Sequence, residues 1–340
     1  MFKKSFFLIL IILGLLFCLL FFTACSAPGE PGAHPDFGSF IGGTTGLKVG
    51  VLEGAPPDII ISRGLSRFSV VAVLENAGEA EVGPGTDNPL VVVRLAGIMY
   101  PDFGLTESTG VKTLDAGLAP ARKNLDGSIM SGEVAHVSFD NLVYKPAFDG
   151  ISLPLVVETC YDYETYATTK ICIKKDVLEA YEDASICTLV GPKPVAGSAA
   201  PVSVTRVDEL PVSENSVQIN FVIEHVGSGV FFSRHQYQDL FDVCVIDDAN
   251  PFIYQLEVFI EPVQDNIYEI DCFRLDNDLP GGGVSGVVSM FQGAPLTISC
   301  FLSRTSPVDV RIYEDLLDIK LRYRYVDVME IPVTIQNYPQ

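Results

Sequence analysis

Cys160-Tyr161-Asp162-Tyr163-Glu164-Thr165-Tyr166-Ala167-Thr168-Thr169-Lys170-Ile171-Cys172 is the stretch on which the reading of this chain turns. Aromatic and β-branched residues fill it, as they fill strands. Period-two alternation puts Val157, Thr159, Tyr161 and Tyr163 on one face, and Val156, Glu158, Cys160 and Asp162 on the other. Pairing Cys160 with Cys172 predicts a disulfide-closed β-hairpin. In that register Glu158 faces Lys174 and Asp162 faces Lys170, and opposite charges directly across a ladder attract. The tyrosines then form the core face and the cystine staples a polar outer face. The closed loop of 13 residues is worth roughly 3 kcal/mol in the chain-entropy account.

The pattern returns without cysteines near the C-terminus. Leu317, Ile319, Leu321, Tyr323 and Tyr325 alternate with Asp318, Lys320, Arg322 and Arg324. This predicts a second hairpin, with an Arg–Glu contact between Arg322 and Glu330 where the cystine stood. Pro332 cannot donate to a ladder, so its strand is expected at an edge. A second landmark is also repeated. Phe68 to Gly78 is a β-branched strand ending in Asn76-Ala77-Gly78, and Val217 to Gly227 matches it with His225 in place of Asn76. Two landmarks in the same order, 85 residues apart in one half (Asn76 to Tyr161) and 98 in the other (His225 to Tyr323), indicate an internal duplication. Further strands are expected at Leu90–Leu95, Gly132–Leu142, Val202–Val207, Phe241–Ile246, Tyr254–Ile260, Ile267–Phe273, Val284–Phe291 and Leu296–Leu302. The expected fold is all-β, with two tandem Ig-like sandwiches over residues 46–180 and 186–340 and a polar break at Glu179–Ser185 between them.

Composition narrows the function classes. The 340 residues are 48% hydrophobic and 19% charged, which allows real cores and argues against overall disorder. A net charge of -21 repels nucleic-acid phosphates and leaves no basic patch for anionic lipid. At the N-terminus Lys3 and Lys4 precede an uncharged apolar run of 19 residues from Phe6 to Ala24. That is long for a signal-peptide core and near the length that spans a bilayer. The lysines should stay inside, leaving the remainder of the chain outside. Phe22-Thr23-Ala24-Cys25 resembles a lipobox, with Phe22 where Leu is preferred and Cys25 as the lipidated residue. The alternative is an uncleaved transmembrane anchor over residues 1–25, with plain secretion third. Residues 26–45 are rich in Gly, Pro, Ser and Thr and read as a flexible tether.

Beyond Cys18 and Cys25, six cysteines remain: Cys160, Cys172, Cys187, Cys244, Cys272 and Cys300. An even count in an exported chain reads as three disulfides. Besides Cys160–Cys172, the four others allow three connectivities, of which Cys272–Cys300 with Cys187–Cys244 is favoured. No CxxC spacing supports zinc. His34, His136, His225 and His235 fall in no HExxH, and no Ser lies in a GxSxG, so no catalytic residue is assigned. Asp276-Asn277-Asp278 before Gly281-Gly282-Gly283 reads as a solvated turn, lacking calcium-loop spacing, and the glycines follow no βα unit that would make a phosphate loop. No metal, cofactor or N-glycosylation sequon is expected.

Glu75-Asn76-Ala77-Gly78 closing an apolar strand, together with the Tyr-rich hairpin, resembles the Ig-like CARDB class of bacterial and archaeal surface proteins. Cys160-Tyr161-Asp162-Tyr163 with Cys172-Ile173 is also similar to uncharacterised membrane-anchored archaeal proteins with paired β domains. The resemblance covers about residues 45 to 338 and implies adhesion, assembly or scaffolding outside the cell. The expected function is a non-enzymatic, membrane-anchored cell-surface binding or structural protein with a protein or glycan partner. The alternative is an accessory lipoprotein of an envelope secretion or pilus-type assembly, and an extracellular enzyme ranks third.

Overall fold

The structure, a computed structural model, describes residues 39–179, 184–234, 244, 252–262, 268–305 and 311–337. The expected anchor with Cys25, the tether up to residue 38, His34, His235 and the expected strand Phe241–Ile246, apart from Cys244, lie outside those residues. Among the described residues no helix is long and apolar enough to cross a membrane.

The described chain is all-β. Its first half supplies β1 (Leu47–Val51), β2 (Ile59–Ile61), β3 (Phe68–Asn76), β4 (Val91–Ala96), β5 (Val111–Thr113), β6 (Arg122–Lys123), β7 (Ile129–Met130), β8 (Val134–Leu142) and β9 (Ile151–Lys174). The second half supplies β10 (Gly191–Lys193), β11 (Val195–Gly197), β12 (Val202–Ser213), β13 (Ser216–His225), β14 (Val230–Phe232), β15 (Gln255–Pro262) and β16 (Tyr268–Cys272). It continues with β17 (Asn277–Asp278), β18 (Val284–Ser289), β19 (Leu296–Arg304) and β20 (Ile312–Gln336). A ten-stranded sheet runs β17-β18-β15-β20-β9-β4-β5, with β11, β14 and β2 attached at its flanks. A three-stranded sheet, β1-β3-β8, and a five-stranded sheet, β10-β12-β13-β19-β16, complete the layers. A short two-stranded ribbon, β6-β7, lies exposed, and apolar residues of the three larger sheets share one buried cluster.

Neither expected hairpin forms. β9 is a single strand of 24 residues and β20 one of 25. They pair antiparallel from Ile312 opposite Lys174 to Ile335 opposite Ile151. A tight hairpin turn needs residues that accept positive φ, such as Asn-Gly. Glu164-Thr165-Tyr166-Ala167 offers none and Val326-Asp327-Val328 only a lone Asp between valines, and their β-branched and aromatic members favour the extended backbone. The charge partners change accordingly. Glu158 meets Arg94 at 2.5 Å, Asp162 meets Arg324 at 2.9 Å and Lys170 meets Glu314 at 2.8 Å. Arg322 pairs with Glu164 rather than Glu330.

The disulfides are corrected for the same reason. Cys160 joins Cys244, Cys172 joins Cys187 and Cys272 joins Cys300, with Cα separations of 5.8, 5.7 and 4.0 Å. Of the three expected pairs only Cys272–Cys300 is present, between residues directly opposite on β16 and β19. Cys160 and Cys172 lie on one strand, where a rise of about 3.3 Å per residue separates them far beyond the roughly 7 Å that a disulfide can bridge.

The long pair ties the halves of the chain into one sheet, and Asp36–Gln340 clusters as one compact unit. β4, from the first half, lies along Val156–Tyr161 of β9; β15, from the second, lies along Leu317–Arg322 of β20. These flanks are related by an approximate two-fold near the facing pair Tyr163 and Tyr323. Both repeated landmarks converge there. A Cβ on Gly78 would stand 1.9 Å from the Tyr163 hydroxyl, and one on Gly227 would stand 2.3 Å from the Tyr325 hydroxyl. Glycine is therefore required after the Asn76 and His225 strands, because any side chain would displace a buried tyrosine. Farther out, Pro154 and Pro332 face each other where neither strand pairs on its outer side, so neither lacks a ladder donor that the sheet needs.

Beside the Cys172–Cys187 bridge, Glu209 of β12 is fully buried between the sheets. Lys193 sits 2.6 Å away and the Cys172 amide donates to the same carboxylate oxygen at 2.9 Å. Burial pushes Glu209 up to about 7, against Lys193 and that amide, which both hold it down. The folded state thus holds more protons than the unfolded state between about 4.5 and 7, and stability falls as pH rises through that window. Thermal melts from pH 5 to 8 should show a loss of up to about 3 kcal/mol that Glu209→Gln removes; an identical pH profile in the variant would refute this. Non-reducing peptide mapping should recover Cys160–Cys244 and Cys172–Cys187 peptides, and a Cys160–Cys172 peptide would contradict the continuous strand.

Candidate functional site

The centre of the β9–β20 pair carries four buried tyrosines on one face. Tyr163 faces Tyr323 and Tyr161 faces Tyr325. Their ring centroids lie 5.8 to 6.4 Å apart in tilted and edge arrangements, the geometry that aromatic quadrupoles favour. A buried tyrosine hydroxyl requires a partner, and three of the four have one. Tyr163 donates to the Ala199 carbonyl at 3.1 Å. Tyr323 meets the Thr165 hydroxyl at 2.9 Å, and Thr165 donates to the Val202 carbonyl. Tyr325 accepts from the Gly229 amide at 2.7 Å and lies 3.1 Å from His225 Nε2. Burial pushes His225 down and favours its neutral ring, whose tautomer sets the direction of its hydrogen bond with Tyr325. Tyr161 has no hydrogen-bond partner among the described residues, although its exposure is only 1%.

Tyr161 instead lines a cavity of about 260 Å³ at the seam between the two halves. Tyr161 and Tyr325 form its floor, with Asp327 beside them on β20. Thr44, Thr45 and Ser228 stand exposed at its mouth. The Val328 amide donates to one Asp327 oxygen at 2.9 Å, and burial raises the Asp327 pKa. Opposite Asp327 on β9, the Thr159 hydroxyl is buried without a partner. Burial also pushes Tyr161 far up and Tyr325 up to about 12, so both remain neutral hydroxyls. The site offers hydroxyls and one carboxylate on an aromatic floor, a set suited to holding a polar ligand.

The opposite face of the same strand pair is a closed charge array. Asp162 takes Arg324 at 2.9 Å and Arg234 at 3.8 Å. Glu164 takes Arg322, Arg234 at 3.6 Å and the Tyr166 hydroxyl at 2.6 Å. Arg234 also reaches the Asn88 side chain at 3.1 Å and the Asp87 carbonyl. Next to the array, Cys160–Cys244 packs with Val92, Phe232 and Val326. This face therefore clamps β9, β20 and the loop before β4.

The six cysteines assigned from sequence are all in disulfides, dispersed through the fold rather than grouped as one site. His136 is exposed on β8, and Asn277 and Asp278 form an exposed edge strand. Among the described residues no group of three or more His, Cys, Asp or Glu side chains is placed to hold a metal. Asp327, Thr44, Thr45 and Ser228 escaped the sequence reading. One signal was available: Asp327 continues the alternate positions of Tyr323 and Tyr325, a charge on an otherwise apolar face. Thr44 and Thr45 looked like the end of a tether, yet Glu79 holds this segment by accepting from the amides of Ile41 at 2.5 Å and Ala199 at 2.6 Å.

Breaking the charge array on one side leaves a buried charge uncompensated, at a cost of about 3 to 5 kcal/mol. Asp162→Ala should therefore lower the denaturant midpoint sharply, and Asp162→Leu combined with Arg324→Leu should recover most of the loss. Equal destabilisation by the single and double variants would show that the clamp is not electrostatic. No family model and no curated protein matches the sequence.

Proposed function

We propose that this chain is a membrane-tethered, extracytoplasmic binding protein without catalytic chemistry of its own. The observation that carries the reading is the seam cavity, built from both halves of the chain and lined by Tyr161, whose hydroxyl has no hydrogen-bond partner among the described residues. The three disulfides fit an oxidising compartment. The apolar run Phe6–Ala24 ending at Cys25 would supply the tether. The paired layers, with the Asn-x-Gly strand packed on a tyrosine, support a tandem arrangement akin to the Ig-like CARDB surface modules, modified by the shared long strands. The neutral tyrosine hydroxyls and the threonine and serine hydroxyls of the lining are groups that hydrogen-bond a guest, and a partner protein or glycan at the cell surface is the source of that guest.

Expression of the full chain with external protease treatment of intact cells tests this reading. The protein should fractionate with membranes and be digested from outside, and mass spectrometry of its N-terminal peptide should separate the two tethers, a lipidated Cys25 with residues 1–24 removed against an intact apolar run from Met1. Protection of the folded part from external protease would overturn it.

A further inference from the structure

We infer that the seam cavity takes a primary ammonium group, carried by a free amine or by a lysine side chain of a partner. The inference deepens the binding reading above and rests on it.

Three observations converge. First, Asp327 enters the cavity with no cation near it: it forms no ion pair among the described residues, and the lining holds no Lys, Arg or His. The only described group bonded to its carboxylate is the Val328 amide, on one oxygen. A half-buried carboxylate without a counter-charge is unfavourable, and a cationic guest removes that penalty. Second, the Tyr161 hydroxyl has no hydrogen-bond partner among the described residues, and Tyr325 already accepts one amide and meets His225. A guest carrying several N–H donors matches acceptors of this kind, as an ammonium with its three donors does. Third, the floor is two tyrosine rings whose centroids are 5.8 Å apart, and aromatic rings attract cations. The charge of the whole chain, -21, steers cations toward it and repels carboxylate or phosphate ligands.

The same hydroxyls would serve a neutral sugar, so the experiment sets the two against each other. Full-length protein in detergent is titrated by calorimetry with ethanolamine, cadaverine and lysine amide, and in parallel with glucose, N-acetylglucosamine and acetate. The amines should bind and acetate should not. Asp327→Asn, close to isosteric, should weaken amine binding roughly tenfold or more, as expected for loss of a charge-assisted contact, and Tyr161→Phe should weaken it several-fold. Chemical-shift perturbation of Thr45, Tyr325 and Ser228 in the unmodified protein locates the guest without relying on a variant's folding. Sugars binding at these residues while amines do not would overturn the ammonium assignment and leave the binding reading standing. Amine affinity unchanged by Asp327→Asn would overturn the assignment too. Shifts from no probe at these residues would remove both. If free amines bind weakly and a lysine-containing peptide tightly, the partner's side chain is the source.

Discussion

The fold depends on one ladder. β9 and β20 run antiparallel over their whole length, and each continues where a sequence of this kind is expected to turn back. Once they are paired, the other strands have defined places: β4 on one flank, β15 on the other, and the three- and five-stranded sheets over the apolar face. The strand faces are opposed in chemistry and both are buried at the centre. One carries Tyr161, Tyr163, Tyr323 and Tyr325; the other carries Asp162, Glu164 and Arg324. Such a pair tolerates no slip, because a one-residue shift would send the tyrosines toward the charges.

The two halves meet at this centre as near equivalents, and their differences define the site. The Asn76 and His225 strands both end in a glycine that admits a tyrosine hydroxyl. Asn76 spends its amide on the carbonyls of Ala80 and Leu118, whereas His225 turns to Tyr325. Exact symmetry would satisfy every hydroxyl in the same manner. Among the described residues the Thr159 hydroxyl is buried without a partner and the Tyr161 hydroxyl has none at the cavity, with Asp327 alongside.

Much of the local structure was legible. Alternation separated the tyrosines from the charged residues, and that division holds within the long strands, but the charged face expected to lie outward is buried at the centre as well. The Asn-x-Gly and His-x-Gly strand ends were visible as repeats, and each packs on the tyrosine two residues beyond the one with which it was paired in sequence, Gly78 on Tyr163 and Gly227 on Tyr325. The charged residues facing one another across a ladder were also recognised, but with the wrong strand as partner. Opposite charges satisfy a local hairpin and a distant strand equally well in one dimension; the missing turn residues at Glu164–Ala167 were the only local evidence against the hairpin.

The sequence by itself determined that the chain is β, which residues of each strand share a face, and that its cysteines are even in number, since all three follow from side-chain chemistry and period-two geometry. The tertiary structure decided which strands pair, which cysteines meet and where a cavity remains. Those outcomes depend on contacts between residues such as Tyr163 and Tyr323 or Cys160 and Cys244, far apart in the chain, and local propensity carries no information about which distant partner a strand will meet. The seam site belongs wholly to this second kind: Thr45, Tyr161, Ser228 and Asp327 come from four separate segments, and only the pairing of the long strands brings them together.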